Sequence, residues 1–254
     1  MKHAYGWLRG NRMVWKGGLG GGALVYDYGW PAGGTAEPNV ALQLLFDESS
    51  GNITDEVGSL EFIGTGNPGY STAATGSWAR MSPGIKFVKA VLDKFTRNGA
   101  QATLANGTDD AVFEWVLRLE SGGNNAELVW DTYASSQGTL IEFIRSVTPT
   151  YSVRLRFIGP GGTLTVSINH DGSTYGDGKF HKWRLSVDRS GNCELFIDGV
   201  SQGTANVSAH AANNIPAEKA QISGPFGGEI DMTILEYRMT IGNATNNSGG
   251  PGGG

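Results

Sequence analysis

Three oxygen-bearing side chains lie close together near the start of the chain and have the chemistry that a calcium ion requires. Asp47, Asn52 and Asp55 fall within one short segment, and hard cations prefer carboxylate and amide oxygens. Their spacing does not match an EF-hand loop, and Asp and Asn side chains also stabilise turns by binding the nearby backbone. The sequence therefore leaves two interpretations, a calcium site and a turn without metal, and it predicts no other cofactor.

A second group of candidates is aromatic. Glycan-binding surfaces combine exposed aromatic rings with polar side chains, because a ring offers an apolar face and a polar edge. The candidates for such a surface are Trp130, Tyr133, Tyr151 and Tyr175. The competing interpretation is that these rings belong to a hydrophobic core.

The histidines give little evidence of catalysis. His3, His170, His181 and His210 do not have the spacing of metal ligands, and no Ser/His/Asp arrangement can be assembled from the sequence. We predict no catalytic residue.

The elements that must position these side chains are strands. Between Asp177 and Gly199 two alternating apolar–polar runs are joined by a short polar turn. Trp183, Leu185 and Val187 share one face of the first run, and the second run resumes the same alternation after the turn. Because successive side chains of a strand point to opposite faces, this segment predicts an antiparallel hairpin with one face on a core.

Similar alternation recurs along the chain and predicts an all-β fold, an antiparallel two-sheet β-sandwich that occupies residues 40–242. The predicted strands lie near 41–46, 85–88, 111–120, 126–133, 139–147, 151–158, 162–169, 182–188, 193–198 and 229–241. Residues 210–220 are the one segment that suggests a helical turn.

The hairpin also resembles a known family. Its pattern, D-G-x-(aromatic)-H-x-x-x-(apolar)-S-(apolar)-D-x-S-G ending in (apolar)-D-G, resembles the central hairpin of laminin-G-like (LamG), concanavalin A-like jelly-roll domains. Three further blocks, at Leu44–Gly58, Pro83–Phe87 and Gly228–Tyr237, are similar to that family in the same order. The family places Trp where Phe180 stands here and an aliphatic residue where Trp183 stands. The resemblance implies a jelly roll, and it allows lectins, adhesion modules and hydrolases.

One hydrolase branch of that family carries its carboxylates on a strand, and Glu229 and Asp231 resemble the first two of them. Retaining hydrolysis requires two carboxyl groups about 5–5.5 Å apart. The next glutamate, Glu236, lies at an odd spacing from Glu229, which in a regular strand places the two on opposite faces. The second carboxylate is therefore missing, and a glucanase is the least favoured interpretation.

Composition excludes several other classes. The formal net charge is −5 and no Lys/Arg cluster is present, so nucleic acid is not the expected partner. The single cysteine, Cys193, cannot form an internal disulfide and alternates with apolar residues, so we expect it to be buried. No segment approaches the ~18 apolar residues that a membrane span requires, and residues 1–18 contain no continuous apolar stretch of the kind found in secretory signals.

The two ends of the chain differ from the sandwich. Residues 1–39 form a predicted extended arm rich in glycine, and its aromatic residues are too numerous for an inert linker. We expect this arm to dock on another protein surface through its aromatic side chains: Tyr5, Trp7, Trp15, Tyr26, Tyr28 and Trp30. A flexible leader or additional strands are the alternatives for the arm. Residues 243–254 form a predicted glycine-rich tail.

These features predict a protein without enzymatic activity. The first hypothesis is a structural or display protein of a virus particle, namely a phage decoration, head-spike or tail protein. Its arm would attach the sandwich to other subunits of the particle or to copies of itself, and the sandwich would offer a surface for cell-surface glycans. The alternative is an extracellular carbohydrate-binding lectin or adhesion module.

Overall fold

The structure is a computed structural model, and it describes residues 40–46, 51–58, 60–65, 69–70, 84–87, 94–119, 126–145, 150–222 and 232–242. Within these ranges the chain consists almost entirely of β-strands, with one short α-helix. In chain order the elements are β1 (Val40–Leu44), β2 (Ile53–Thr54), β3 (Glu61–Thr65), β4 (Gly69–Tyr70), β5 (Ile85–Phe87), β6 (Lys94–Arg97), β7 (Ala111–Leu119), β8 (Ala126–Asp131), β9 (Gly138–Arg145), β10 (Thr150–Gly159), β11 (Gly162–Asp171), α1 (Gly172–Tyr175), β12 (Phe180–Val187), β13 (Asn192–Ile197), β14 (Val200–Asn206), β15 (Ala220–Ile222) and β16 (Met232–Ile241).

The strands form two antiparallel sheets that pack as a sandwich, as the alternation predicts. The first sheet has the order β14-β13-β12-β7-β16-β5-β4, and β1 also pairs with β16. The second sheet has the order β11-β10-β9-β8-β15-β6-β3-β2. The fold is therefore an all-β, two-sheet sandwich, in which the edge strands β11 and β14 lie next to each other.

Large aromatic side chains fill the space between the sheets. Trp115 and Trp183 from the first sheet are fully buried, as is Trp130 from the second. The ring of Phe143 meets that of Trp183 edge-on at a centroid distance of 4.7 Å, and Trp130 stacks on Tyr237 at 4.9 Å. Burying an aromatic side chain of this size contributes several kcal/mol, so truncating one of them to alanine is expected to cost about 3–5 kcal/mol.

The hairpin between Asp177 and Gly199 forms as predicted. β12 pairs with β13 in a register that places Trp183 opposite Ile197 and Val187 opposite Cys193, and all four side chains are buried. The outward face of β12 is less exposed than simple alternation suggests, because Arg184 retains only 9% of its accessible surface. The pattern thus identified the inward face correctly and underestimated how much of the outward face is covered.

Two expectations about secondary structure require correction. Several strands lack a clear alternating pattern and were not predicted, among them β6, β14 and β15. The expected helical turn in residues 210–220 is present only at the start of that segment, as the end of a 3-10 helix at Ser208–His210 that Ala211 continues in helical conformation, and the rest of the segment is not helical. No helix in the described part of the chain is long and apolar enough to cross a membrane.

Candidate functional site

The calcium candidates are built into a turn. The Asp55 carboxylate is almost fully buried and accepts hydrogen bonds from the backbone N–H groups of Gln43, Val57 and Gly58. Asn52 donates to Glu61 at 3.0 Å through its side-chain amide and accepts from the Gly64 N–H. These contacts favour the interpretation of Asp55 and Asn52 as turn residues.

The third calcium candidate, Asp47, lies outside the described residues. Among the residues that the structure describes, no group of three or more His, Cys, Asp or Glu side chains is arranged to hold a metal ion.

The four aromatic candidates occupy different places. Trp130 lies in the core with no exposed surface, so it cannot stack on a sugar and its assignment to a glycan surface is wrong. Tyr133 is partly exposed in the loop after β8, where its hydroxyl donates to the Ser135 carbonyl. Tyr151 is also buried in the core, with 8% of its surface exposed, so its assignment to a glycan surface is wrong as well. The rings of Tyr151 and Tyr175 both contact His170, at ring centroid distances of 5.7 and 6.2 Å.

The turn after β11 explains how Tyr175 reaches this position. The Asp171 carboxylate caps α1 by accepting hydrogen bonds from the Ser173 N–H and from the Ser173 and Thr174 hydroxyls. Gly176 then ends the helix directly against Tyr151, because a Cβ at this position would lie 2.5 Å from the Tyr151 ring. A short capped turn and one obligatory glycine therefore place the Tyr175 ring at the end of the sandwich.

Polar side chains surround Tyr175. The Gln202 side-chain amide donates to the Tyr175 hydroxyl at 3.2 Å, and the His181 ring lies edge-on to the tyrosine at 5.3 Å. His181 is itself held between two carboxylates: its Nδ1 lies 2.6 Å from Asp198 Oδ2, and its Nε2 lies 3.1 Å from Asp177 Oδ1. We call Tyr175, His181, Gln202, Asp177 and Asp198 the Tyr175 surface.

The turn between β13 and β14 fixes Asp198 in this surface. Asp198 and Gly199 have φ values of 51° and 80°, the left-handed conformation that a two-residue type I′ hairpin turn requires. The other oxygen of Asp198, Oδ1, accepts the Lys182 N–H at 2.8 Å and so binds the turn to the start of β12. The conspicuous D-G-x-F-H and I-D-G residues of the sequence thus meet in space through their side chains.

Neighbouring groups in this surface favour the charged forms of Asp177 and His181. Burial opposes ionisation of Asp177, but hydrogen bonds from Lys179 and His181 outweigh it and lower the pKa of Asp177 to about 2. Burial also opposes the charge on His181, but Asp198 and Asp177 together raise its pKa above the usual 6.5. A protonated imidazole between two carboxylates therefore accompanies the Tyr175 ring over a range of mildly acidic pH.

The arrangement has the components of a saccharide surface. Tyr175 is partly exposed, the Asp198 side chain retains 44% of its surface, and Val200 retains 58%. A partly exposed ring can cover the apolar face of a sugar, while amide, imidazole and carboxylate groups can bind its hydroxyls.

The possible glucanase carboxylates do not form a described site. Glu229 and Asp231 lie outside the described residues. The parity argument for Glu236 fails because a β-bulge between Ile234 and Glu236 shifts the register of β16. Glu236 is largely buried and accepts a hydrogen bond from the Gln43 side chain at 3.0 Å.

The predicted arm, residues 1–39 with all six of its docking aromatics, and the predicted tail, residues 243–254, also lie outside the described residues.

Two polar clusters were missed by the sequence analysis. Glu218 accepts hydrogen bonds from the backbone N–H groups of residues 134–137, which lowers the pKa of its carboxyl to about 2. Glu142 on β9 pairs with Arg154 and Arg156 on β10. Both clusters join residues from different strands or loops, so only knowledge of the strand register could have revealed them.

Comparison with known proteins gives a structural likeness without a sequence family. No protein-family model matches the chain, and no curated protein matches it. Among solved structures, the binding domain of botulinum neurotoxin DC in complex with rat synaptotagmin II is similar, with a TM-score of 0.62, 14% identity and 82% of this chain covered. Botulinum neurotoxin type C, whose cell entry depends on interaction with two ganglioside molecules, gives a TM-score of 0.62 and 13% identity over 82% of this chain.

The likeness covers part of each toxin domain. The chain spans 50% of the first of these neighbours and 49% of the second. At this level of identity the comparison establishes the fold, a sandwich shared with receptor-binding domains of toxins, and the ligand has to be argued from the residues of this chain.

Proposed function

We propose that this protein is a non-catalytic recognition module that binds a saccharide at the Tyr175 surface. The observation that carries the proposal is the convergence of a partly exposed tyrosine ring with Gln202, His181 and two carboxylates at one end of the sandwich. The structural neighbours that bind receptors support it, since they use a domain containing the same fold for recognition.

The LamG resemblance and the arm lead to a more specific proposal. The sandwich would be displayed on a virus particle, most simply a phage, and attached through the aromatic side chains of residues 1–39. Aromatic residues contribute large contact areas when they become buried at an interface, which suits them to docking on a lattice of other subunits. The alternative is that the same module works extracellularly as a lectin without a particle.

A glycan array with the full-length protein tests the recognition proposal. Wild type is expected to bind a defined set of saccharides, and Tyr175→Ala to weaken that binding roughly tenfold, equivalent to about 1.4 kcal/mol of lost ring contact. Tyr175→Phe keeps the ring and should retain most of the binding. Gln202→Leu tests the polar side of the surface without removing an aromatic ring.

The matched control is Tyr133→Ala, which removes another partly exposed tyrosine from a distant loop and should leave binding unchanged. If wild type binds no saccharide, or if Tyr133→Ala weakens binding as much as Tyr175→Ala, the Tyr175 surface is not the binding site.

The display proposal has a separate test: native particles are analysed for the chain by mass spectrometry, and a variant with Trp7, Trp15 and Trp30 changed to serine should no longer join them. Normal incorporation of that variant would contradict a docking arm.

A further inference from the structure

Two histidines contact the Tyr175 ring, and their surroundings are opposite. His181 lies at a ring centroid distance of 5.3 Å, and both of its ring nitrogens lie within hydrogen-bond distance of a carboxylate, that of Asp198 or Asp177. His170 lies at 6.2 Å from the same tyrosine and is buried. A carboxylate stabilises an added proton on an imidazole, whereas burial opposes it, so the two histidines respond differently to acid.

Aromatic rings rather than hydrogen-bond acceptors surround His170. Besides Tyr175, the imidazole contacts Trp183 at 5.0 Å and Tyr151 at 5.7 Å, both in a T-shaped arrangement. Among the described residues neither of its ring nitrogens has a hydrogen-bond partner of normal geometry. A second proton on this ring would therefore create a buried cation without an acceptor, which is costly.

The elements that meet at His170 offer little negative charge to offset that cost. β10, β11, α1 and β12 carry one carboxylate, that of Asp171, which is exposed and already accepts three hydrogen bonds from the first turn of α1. The register places Arg145 of β9 opposite Tyr151. The tyrosines on β10 and α1 stay neutral in mild acid. The remaining titratable side chains of these elements are basic, and they are Arg154, Arg156, His181, Lys182 and Arg184.

His170 lies where an edge strand passes into the segment that carries Tyr175. β11 is the outermost strand of the second sheet, and the residue after His170 is the N-cap of α1. α1 has four residues, and the Gly176 N–H closes it by donating to the Gly172 carbonyl at 2.9 Å. A short element at a sheet edge opens at a lower free-energy cost than central strands. Opening α1 is therefore the least costly way to bring water to His170.

We propose that His170 regulates recognition by pH: in mild acid its protonation opens α1 and moves the Tyr175 ring out of the Tyr175 surface. This regulation rests on the recognition function proposed above for that surface. It is specific to His170, because the carboxylates of Asp198 and Asp177 hold His181 in its protonated form and so keep His181 in place as the pH falls.

Linkage gives the size of the effect. Burial lowers the pKa of His170 from 6.5 to about 4 while α1 is closed, and we take the ordinary value for the open state. The open population should then rise roughly 20-fold between pH 7 and pH 5.

Hydrogen exchange of the full-length protein without ligand, followed by NMR at pH 7 and pH 5, tests the opening of α1. In wild type the protection factor of the Gly176 amide, which already corrects for the intrinsic pH dependence of exchange, should fall roughly 20-fold. It should also be lower than the protection factors of the central strand β7 at both pH values. A Gly176 protection factor that does not change with pH would overturn the proposal. Equal protection of Gly176 and β7 would overturn it too, because the domain would then open only as a whole.

His170→Phe assigns the effect to the imidazole, because phenylalanine keeps an aromatic ring and cannot take up a proton. Its Gly176 protection factor should be the same at the two pH values. The matched control is His210→Phe, which replaces another largely buried histidine and should keep the wild-type fall. A full fall in His170→Phe, or its loss in His210→Phe, would contradict the role of His170. The wild-type exchange decides the question of opening even if the variant does not fold.

A second measurement connects the opening to recognition and separates the two proposals. The array saccharide with the strongest signal is titrated into wild type and His170→Phe at pH 7 and pH 5. We expect wild type to lose at least twofold more affinity than the variant between these pH values. If no saccharide binds, the recognition proposal fails and the exchange experiment still decides whether His170 opens α1. If α1 opens as expected and both proteins lose affinity equally, the opening does not regulate recognition and the present proposal fails alone.

Discussion

His170 makes the stability of this protein sensitive to mild acid. The imidazole retains only 5% of its surface, and its ring is surrounded by Tyr151, Tyr175 and Trp183. Among the described residues neither ring nitrogen has a hydrogen-bond partner of normal geometry. Burial lowers the pKa of His170 from 6.5 to about 4, although the neighbouring Asp171 opposes the shift.

The sign and size of the effect follow from linkage. The unfolded chain binds a proton below pH 6.5, whereas the folded protein binds it only near pH 4, so stability falls as the pH drops through this interval. With these two pKa values the loss is about 2 kcal/mol at pH 5 and about 0.2 kcal/mol at pH 7. The difference in stability between pH 7 and pH 5 is a large fraction of the free energy of unfolding of a typical domain.

His170→Phe tests this reasoning, because phenylalanine keeps an aromatic ring in the cluster and removes the titration. The free energy of unfolding is measured by urea denaturation at pH 7 and pH 5 for wild type and variant. Wild type is expected to lose about 2 kcal/mol more than the variant between these pH values. Other titrating groups contribute equally to both proteins and cancel in this difference. Equal losses in the two proteins would refute the assignment of the buried imidazole.

Three further predictions concern other groups. His181→Asn should destabilise the protein most at pH 6 and least at pH 9. Because the pKa of His181 is raised in the folded protein, its contribution to stability is complete below pH 6.5 and is lost as the pH rises through the folded value. Urea denaturation at the two pH values measures the loss of unfolding free energy in the variant, and a loss that grows with pH would contradict this sign. Glu218→Gln should lower the free energy of unfolding by roughly 1–2 kcal/mol, because the charged hydrogen bonds to residues 134–137 are weakened. The backbone amides of Ser135 and Ser136 should then exchange with deuterium faster, while those of β12 should not change. Unchanged exchange at Ser135 and Ser136 would contradict the contact. Cys193, whose thiol is buried and has its pKa raised to about 11, should react with a thiol reagent only after unfolding, and rapid reaction in the native protein would show that β13 opens.

The central hairpin was predictable because its information is local. Alternation identified the inward faces of β12 and β13, and the Asp198-Gly199 turn followed from residues that tolerate positive φ. Short strands with little alternation, such as β15, were not predictable, because their pairing depends on β6 and β8 rather than on their own residues.

Two β-bulges interrupt the alternation of strands that carry candidate residues. The bulge between Leu128 and Trp130 interrupts the alternation of β8, and Trp130 enters the core. The bulge before Glu236 invalidates any argument from odd or even spacing along β16. A bulge inserts one residue and reverses the faces beyond it, and the sequence carries no reliable signal of its position.

The candidate surfaces required the register between strands. Tyr151 and Tyr175 were named from residue type alone, and only the path of β10, β11 and α1 brings both of them against His170. The pairing of Glu142 with Arg154 likewise depends on which residues of β9 and β10 lie opposite each other.

The most direct test of the central claim, saccharide recognition at the Tyr175 surface, is an NMR titration of the full-length protein with a saccharide selected on the array. We predict that the largest chemical-shift changes occur at the Gln202 side-chain amide, the His181 ring and the backbone amides of residues 173–178, and that they saturate together. Shift changes that saturate but are confined to other parts of the sandwich would contradict the claim.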